Sequence, residues 1–302
     1  MNSHTPPGSN PGAIAPKASK KQVFFKRLIS TLILWGVILG GLFGGGQRVS
    51  LVTFWLIICG LGFAAFREYV KMVDVKGMVF AKNSLFVAGL VYLSFELLAG
   101  ASQGNLLKTE IPMLVLGLVS VGMVYLLFHY RYTSPRLAPL AKLLFGWFYI
   151  FFLAGFLVRI FTFDSLNGAW LLILFIVLTK FSDLGAYVTG SLIGRHKMIP
   201  KVSPAKTWEG FCGAIFFSAI FGLLLVKLFD QHYQSIPAFH VVILGAVLGA
   251  SAVLGDLVES LLKREAQVKD SGQFIPGIGG ALDLIDSLLF NAPLMYAYLQ
   301  LF

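Results

Sequence analysis

Residues 239–261 read FHVVILGAVLGASAVLGDLVESL. A helix needs about 20 consecutive apolar residues to cross the hydrocarbon core of a bilayer, and this run supplies them. It also carries Asp256 and Glu259 near its C-terminal end. A carboxylate buried in lipid costs about 2.5–3.5 kcal/mol on insertion scales, so such residues are kept where they bind an ion or a substrate. Asp256, Glu259, Ser260 and Lys263 fall at i, i+3, i+4 and i+7, on one face of a helix. Spacing alone leaves a second reading open, in which the acids join helix to helix with Lys263 as salt partner.

Eight further apolar segments lie outward from this one, at about 28–46, 49–66, 84–100, 111–129, 141–159, 168–189, 209–229 and 283–301. Pro139 and Lys142 interrupt the start of the fifth. Of the 302 residues, 57% are hydrophobic and 13% charged, against about 25% charged in a soluble domain. The mean hydropathy of +0.80 points the same way. The pattern predicts an all-α polytopic transmembrane helix bundle of about nine spans. Residues 1–26 read as a disordered basic cytoplasmic tail, 27–140 as N-terminal transmembrane helices and 141–302 as the catalytic transmembrane region. The tail has no apolar core, so it is not read as a cleaved signal peptide.

Lysine and arginine counts set the topology. The tail carries five, and successive connections carry one, four, one, three, one, four, one and three, with Lys180 inside the sixth segment. This alternation predicts a cytoplasmic N-terminus and places the connections after segments six and eight in the cytoplasm. The formal charge of +10 is thereby read as topology and lipid-headgroup contact, not nucleic-acid binding. Cys59 and Cys212 lie in apolar runs, and no CxxC or HExxH motif occurs. A disulfide framework and a zinc site are excluded, so any metal is held by oxygen ligands, as magnesium is. No internal repeat is visible, which counts against a transporter built from inverted halves.

Polar residues concentrate in the second half, where Asp183, Asp256, Glu259, Asp283 and Asp286 lie at or inside apolar segments. Glu96, the main acid of the first half, reads as a residue near a segment end. Segment six closes on Asp183-Leu-Gly-Ala-Tyr187, and Ser203-Pro204-Ala205-Lys206-Thr207-Trp208-Glu209-Gly210 follows. Ser203 fits an N-cap with Pro204 at the first helical position, which would aim free N–H groups, the Thr207 hydroxyl and Lys206 at a phosphate. The last cytoplasmic connection holds Lys263, Arg264, Lys269 and Asp270, then Pro276-Gly-Ile-Gly279-Gly280-Ala-Leu-Asp283-Leu-Ile-Asp286. Glycines let backbone approach a ligand, cations precede them and two aspartates follow three apart.

The run from Ser260 to Asp286 resembles the signature of the phosphatidate cytidylyltransferase family. The segments around Asp256, Ser203–Gly210 and Asp183–Tyr187 are similar to motifs of the same family, in matching order, over about residues 140–302. Three positions depart from the family pattern: Ile278 stands where a histidine is usual, Leu284 where an arginine is usual, and Ala205 where a basic residue is common.

The resemblance implies transfer of CMP from CTP to phosphatidic acid, giving CDP-diacylglycerol and pyrophosphate. It implies Mg²⁺ on Asp256, Asp283 and Asp286, with room for a second cation. Lys206 and Lys263 join Asp256 and Asp283 as catalytic candidates. Asp183, Ser203, Thr207, Arg264, Lys269, Asp270, Gly279 and Gly280 join the two lysines as substrate-binding candidates. It further implies a homodimer, and the layout suits a bacterial inner membrane. Alternatives are a CTP-dependent enzyme acting on another lipid phosphate or an isoprenoid alcohol, an ion-coupled transporter, and a catalytically silent relative.

Overall fold

The structure, a computed structural model, describes residues 36–75, 78–101, 137–163, 168–268, 271–272 and 279–302. Helix α1 (Gln47–Met72) and α2 (Val79–Ala101) come first. Helix α3 (Leu137–Trp147), a π-helical turn (Phe148–Phe152) and α4 (Leu153–Thr162) follow one another without a break. Helix α5 (Gly168–Ile193) leads into a two-stranded antiparallel ribbon, β1 (Lys197–Ile199) and β2 (Ser203–Thr207). Then come α6 (Trp208–Leu228), the single turn α7 (Asp230–Tyr233), α8 (Ala238–Glu265) and α9 (Ala281–Leu301).

Among the described residues, six helical stretches are long and apolar enough to cross a membrane: α1, α2, Pro139–Thr162, α5, α6 and α8. They correspond to the second, third, fifth, sixth, seventh and eighth apolar segments of the sequence. The first segment is described only as helical over residues 36–43. The fourth lies outside the described residues, and the ninth is α9. Outward faces keep large apolar side chains, among them Phe80, Leu98, Leu192 and Phe239. That surface suits lipid, because a helix satisfies its own backbone bonds and needs no water.

The described residues form the expected all-α bundle, to which β1 and β2 add a short ribbon between α5 and α6 that was not expected. Two local expectations are corrected. Pro139 does not interrupt its helix: it sits in the first turn of α3, where a missing N–H costs nothing. Helix α1 runs on past residue 66 to Met72, because Arg67, Glu68 and Lys71 extend it beyond its apolar part.

Helices α5 and α6 meet at glycines. A Cβ on Gly213 would lie 2.7 Å from the Gly185 carbonyl oxygen, and one on Gly185 would collide with the Gly213 carbonyl. Only small residues allow two backbones to approach this closely. Helix α8 packs on α5, α6 and α9, so three elements that carry acids converge. In the other half, α2 and α4 are joined by a bidentate pair, with Arg159 Nε and Nη2 donating to Glu96 at 2.9 and 2.6 Å. Glu96 is buried, and its role here is to hold helices together.

Candidate active site

The ribbon sets one wall of the site. Lys197 pairs with Thr207 and Ile199 with Ser203 across it. Ser203 is therefore strand, not helix cap, and this corrects the sequence expectation. Thr207 is the cap: its backbone is extended (φ −128°, ψ 157°) and its hydroxyl accepts from Gly210 N at 3.1 Å. The start of α6 thus lies next to Lys206, not beside Pro204. Trp208 N donates to His196 O at 2.9 Å, and Glu209 accepts from His196 N at 3.2 Å, so the ribbon base is fastened to the helix start.

Three lysines face five acids inside the bundle. Lys206 Nζ lies 3.1 Å from Asp256 Oδ2 and donates to Val253 O at 2.9 Å, tying β2 to α8. Lys263 Nζ lies 2.9 Å from Glu259, one turn back on α8, and 2.6 Å from Asp283 on α9. Lys180 Nζ lies 3.4 Å from Asp183 and donates to Ser287 Oγ at 2.9 Å, while Ser287 Oγ donates to Asp183 at 3.2 Å. Asp286 is buried on α9, its Oδ1 accepting from Ser287 N. The predicted acids of segments six, eight and nine are therefore brought to one end of the bundle.

The start of α9 is held by backbone geometry. Gly280 N donates to Asp283 Oδ2 at 3.0 Å, which fixes that carboxylate. Gly279 has φ +132°, a conformation L side chains rarely adopt, and a Cβ there would lie 3.0 Å from the same oxygen. Lys269, Asp270 and Ile278 lie outside the described residues. Arg264 donates to Val202 O at 3.2 Å, so in this structure it braces the ribbon turn.

Three residues were missed by sequence reasoning. Glu68 of α1 accepts from Leu282 N at 3.0 Å, reaching the first turn of α9 from the supposedly bland half. Tyr149, on the π-helical turn, is buried with an unpartnered hydroxyl and feels the charges of Asp286, Glu259 and Asp256. Lys180 was seen as an intramembrane cation but given no role. Only Lys180 left a signal in the sequence, as a charge in the middle of an apolar run.

A cavity of about 410 Å³ opens between the ribbon, α5, α6 and α8, lined by Asp183, Tyr187, Lys197, Lys206, Thr207 and Asp256. A volume of this size accepts a ligand of nucleotide dimensions. Five carboxylates against three lysines leave two surplus negative charges if all are ionised. Asp183 Oδ1 and Glu259 Oε1 are buried without hydrogen-bond partners. Hard oxygen donors with surplus charge fit a divalent cation. Among the described residues, no three His, Cys, Asp or Glu are drawn together to hold one, because the lysines now sit on those carboxylates.

A sequence model of the cytidylyltransferase family matches residues 25–302. The chain belongs to this family. The cytidylyltransferase is 33% identical over 304 residues to the phosphatidate cytidylyltransferase of Synechocystis sp., covering 91% of this chain and 96% of the relative. It is 39% identical over 171 residues to the phosphatidate cytidylyltransferase of Haemophilus influenzae, covering 54% of this chain and 58% of the relative. It is also 30% identical over 270 residues to the uncharacterized protein YnbB of Escherichia coli, covering 88% and 85%. Leu284 of this chain lines a second, apolar cavity.

Proposed function

We propose that this chain transfers CMP from CTP to phosphatidic acid at the cytoplasmic face of a bacterial inner membrane, giving CDP-diacylglycerol and pyrophosphate. One observation carries the reading: a nucleotide-sized cavity walled by Lys197, Lys206 and Thr207 shares Asp183 and Asp256 with a cluster of intramembrane acids. An ion-transport pathway needs the acids but not the ribbon and its lysines.

The triphosphate belongs in the ribbon cavity, with Lys206, Lys197 and the Thr207 hydroxyl as its donors. The lipid phosphate belongs beside Lys263 and Asp283, next to the bilayer. Phosphate monoesters have a second pKa near ~6, so the attacking oxygen is already ionised at neutral pH and no dedicated base is needed. Positioning and charge neutralisation are what the reaction asks of the protein. Asp256, Asp283 and Asp286 would hold Mg²⁺, which when bound neutralises phosphate charge and organises the triphosphate. Lys206 and Lys263 would donate to the phosphate oxygens of the two substrates. Gly280 N and Glu68 keep Asp283 and the start of α9 in place throughout.

The same reading takes the chain as a homodimer of nine-span protomers with a cytoplasmic N-terminus, the tail and first helices preceding a catalytic region from about residue 141. The lysine and arginine alternation supports this orientation. The decisive test is formation of labelled CDP-diacylglycerol by purified protein from labelled CTP in phosphatidic acid micelles. Magnesium-dependent product that disappears in Asp283→Asn supports the assignment. No product from well-folded protein refutes it.

A further inference from the structure

A second cavity, of about 300 Å³, lies on the other side of the acid cluster. Ile58 and Leu61 of α1, Leu157 of α4, Ile176 of α5 and Leu284 and Leu288 of α9 line it. Lys180 is the only polar side chain among the described residues on its wall. Leu172, Ile176 and Lys180 recur every four residues, so one stripe of α5 is apolar until it ends on the ammonium. That ammonium is the group that reaches Asp183 and Ser287. Helix α9 divides the same way, with Asp283, Asp286 and Ser287 turned to the acid cluster and Leu284, Ile285 and Leu288 turned to the cavity.

We propose that this cavity takes an acyl chain of the lipid substrate, with Lys180 marking the boundary between chain and headgroup phosphate. An apolar wall that ends on one cation beside a phosphate-handling site complements an anionic amphiphile. An apolar cavity of about 150 Å³ already takes a benzene, so twice that volume accepts a stretch of hydrocarbon chain. Lys180 stands midway along α5, so a chain beyond it runs past Ile176 and Leu172 along the N-terminal half of that helix. Leu284 belongs to the cavity for the same reason: its side chain adds to the hydrocarbon wall just below Asp283.

The inference rests on the phosphatidic acid reading above, and two measurements keep the two apart. The first compares kcat/KM for dioleoyl and dihexanoyl phosphatidic acid in wild type and Ile176→Trp, which fills the cavity. The long-to-short ratio falls about tenfold in the variant if the longer chain occupies it, since overpacking excludes it. The second uses phosphatidic acid with a photoreactive diazirine in the chain, followed by peptide mapping, and reads occupancy without turnover. Adducts within 172–180 and 284–288 support the cavity. An unchanged ratio with both lipids turned over, or adducts confined to outward residues such as Leu192 and Leu301, overturns it. Cavity adducts in a wild-type protein that turns over neither lipid would refute the proposed reaction and leave the chain site standing.

Discussion

Lys206 on the ribbon lies 3.1 Å from Asp256 on α8. The pair joins the ribbon to the membrane helices at the wall of the cavity proposed for the triphosphate. Lys206→Met is expected to lower kcat/KM for CTP by roughly 10²-fold, the scale of losing one preorganised donor to phosphate charge. Steady-state kinetics at varied CTP check this. Adding Asp256→Asn restores charge balance but not activity.

Lys263 neutralises two acids from two helices, and Glu259 keeps only 5% of its side-chain surface exposed. Removing it as Lys263→Met leaves both uncompensated. Breaking a buried pair in this way costs about 3–5 kcal/mol. Thermal unfolding in detergent should show that loss. Lys263→Met with Glu259→Gln should regain much of the stability while remaining inactive, which separates folding from catalysis.

Glu96 and Arg159 form an equally close pair far from this chemistry. Glu96→Gln is expected to destabilise the bundle, toward the lower end of the same ~3–5 kcal/mol because Arg159 is about one-third exposed. At a temperature where the variant stays folded, its kcat and KM should match wild type. A lowered kcat in fully folded protein would contradict a purely architectural role.

Tyr149 brings an unpartnered hydroxyl to the acid cluster by way of the π-helical turn. Tyr149→Phe removes no hydrogen bond present in the structure, so Tm should change by little. If the hydroxyl supports bound substrate or cation, kcat falls about tenfold, the value of one hydrogen bond to a charged group.

Chelation gives a prediction independent of substrate turnover. Added Mg²⁺ should raise Tm in wild type, by about 2.7 kcal/mol of stability at a hundredfold excess over Kd. Asp256→Asn and Asp283→Asn should blunt that rise. Identical melting with EDTA and with Mg²⁺ would remove the metal from these acids.

The membrane helices and the acids inside them were legible because lipid imposes a simple rule: apolar length and the rarity of charge. Asp256, Glu259, Asp283 and Asp286 stood out for that reason; the structure joins Glu259 to Asp283 through Lys263 and pairs Asp256 with Lys206. The ribbon was not legible. Ser203-Pro204 carries the local signals of a helix start, but pairing of Ser203 with Ile199 satisfies its backbone as strand and delays the cap to Thr207. Glu68 and Tyr149 were hidden because their importance is purely tertiary. One reaches 214 positions along the chain to Leu282, and the other is turned inward by a π-helical turn whose sequence, FYIFF, reads as plain hydrophobic helix.

The pairing of Lys180, Lys206 and Lys263 with protein carboxylates also bears on inhibition. A polyanionic compound aimed at this pocket competes not with water but with side chains already seated on the cations it needs. Its potency should depend on whether those side chains have been given something else to hold. A screen run in a chelating buffer would pass over such compounds, and one run with magnesium would rank them by how completely they replace the enzyme's own acids.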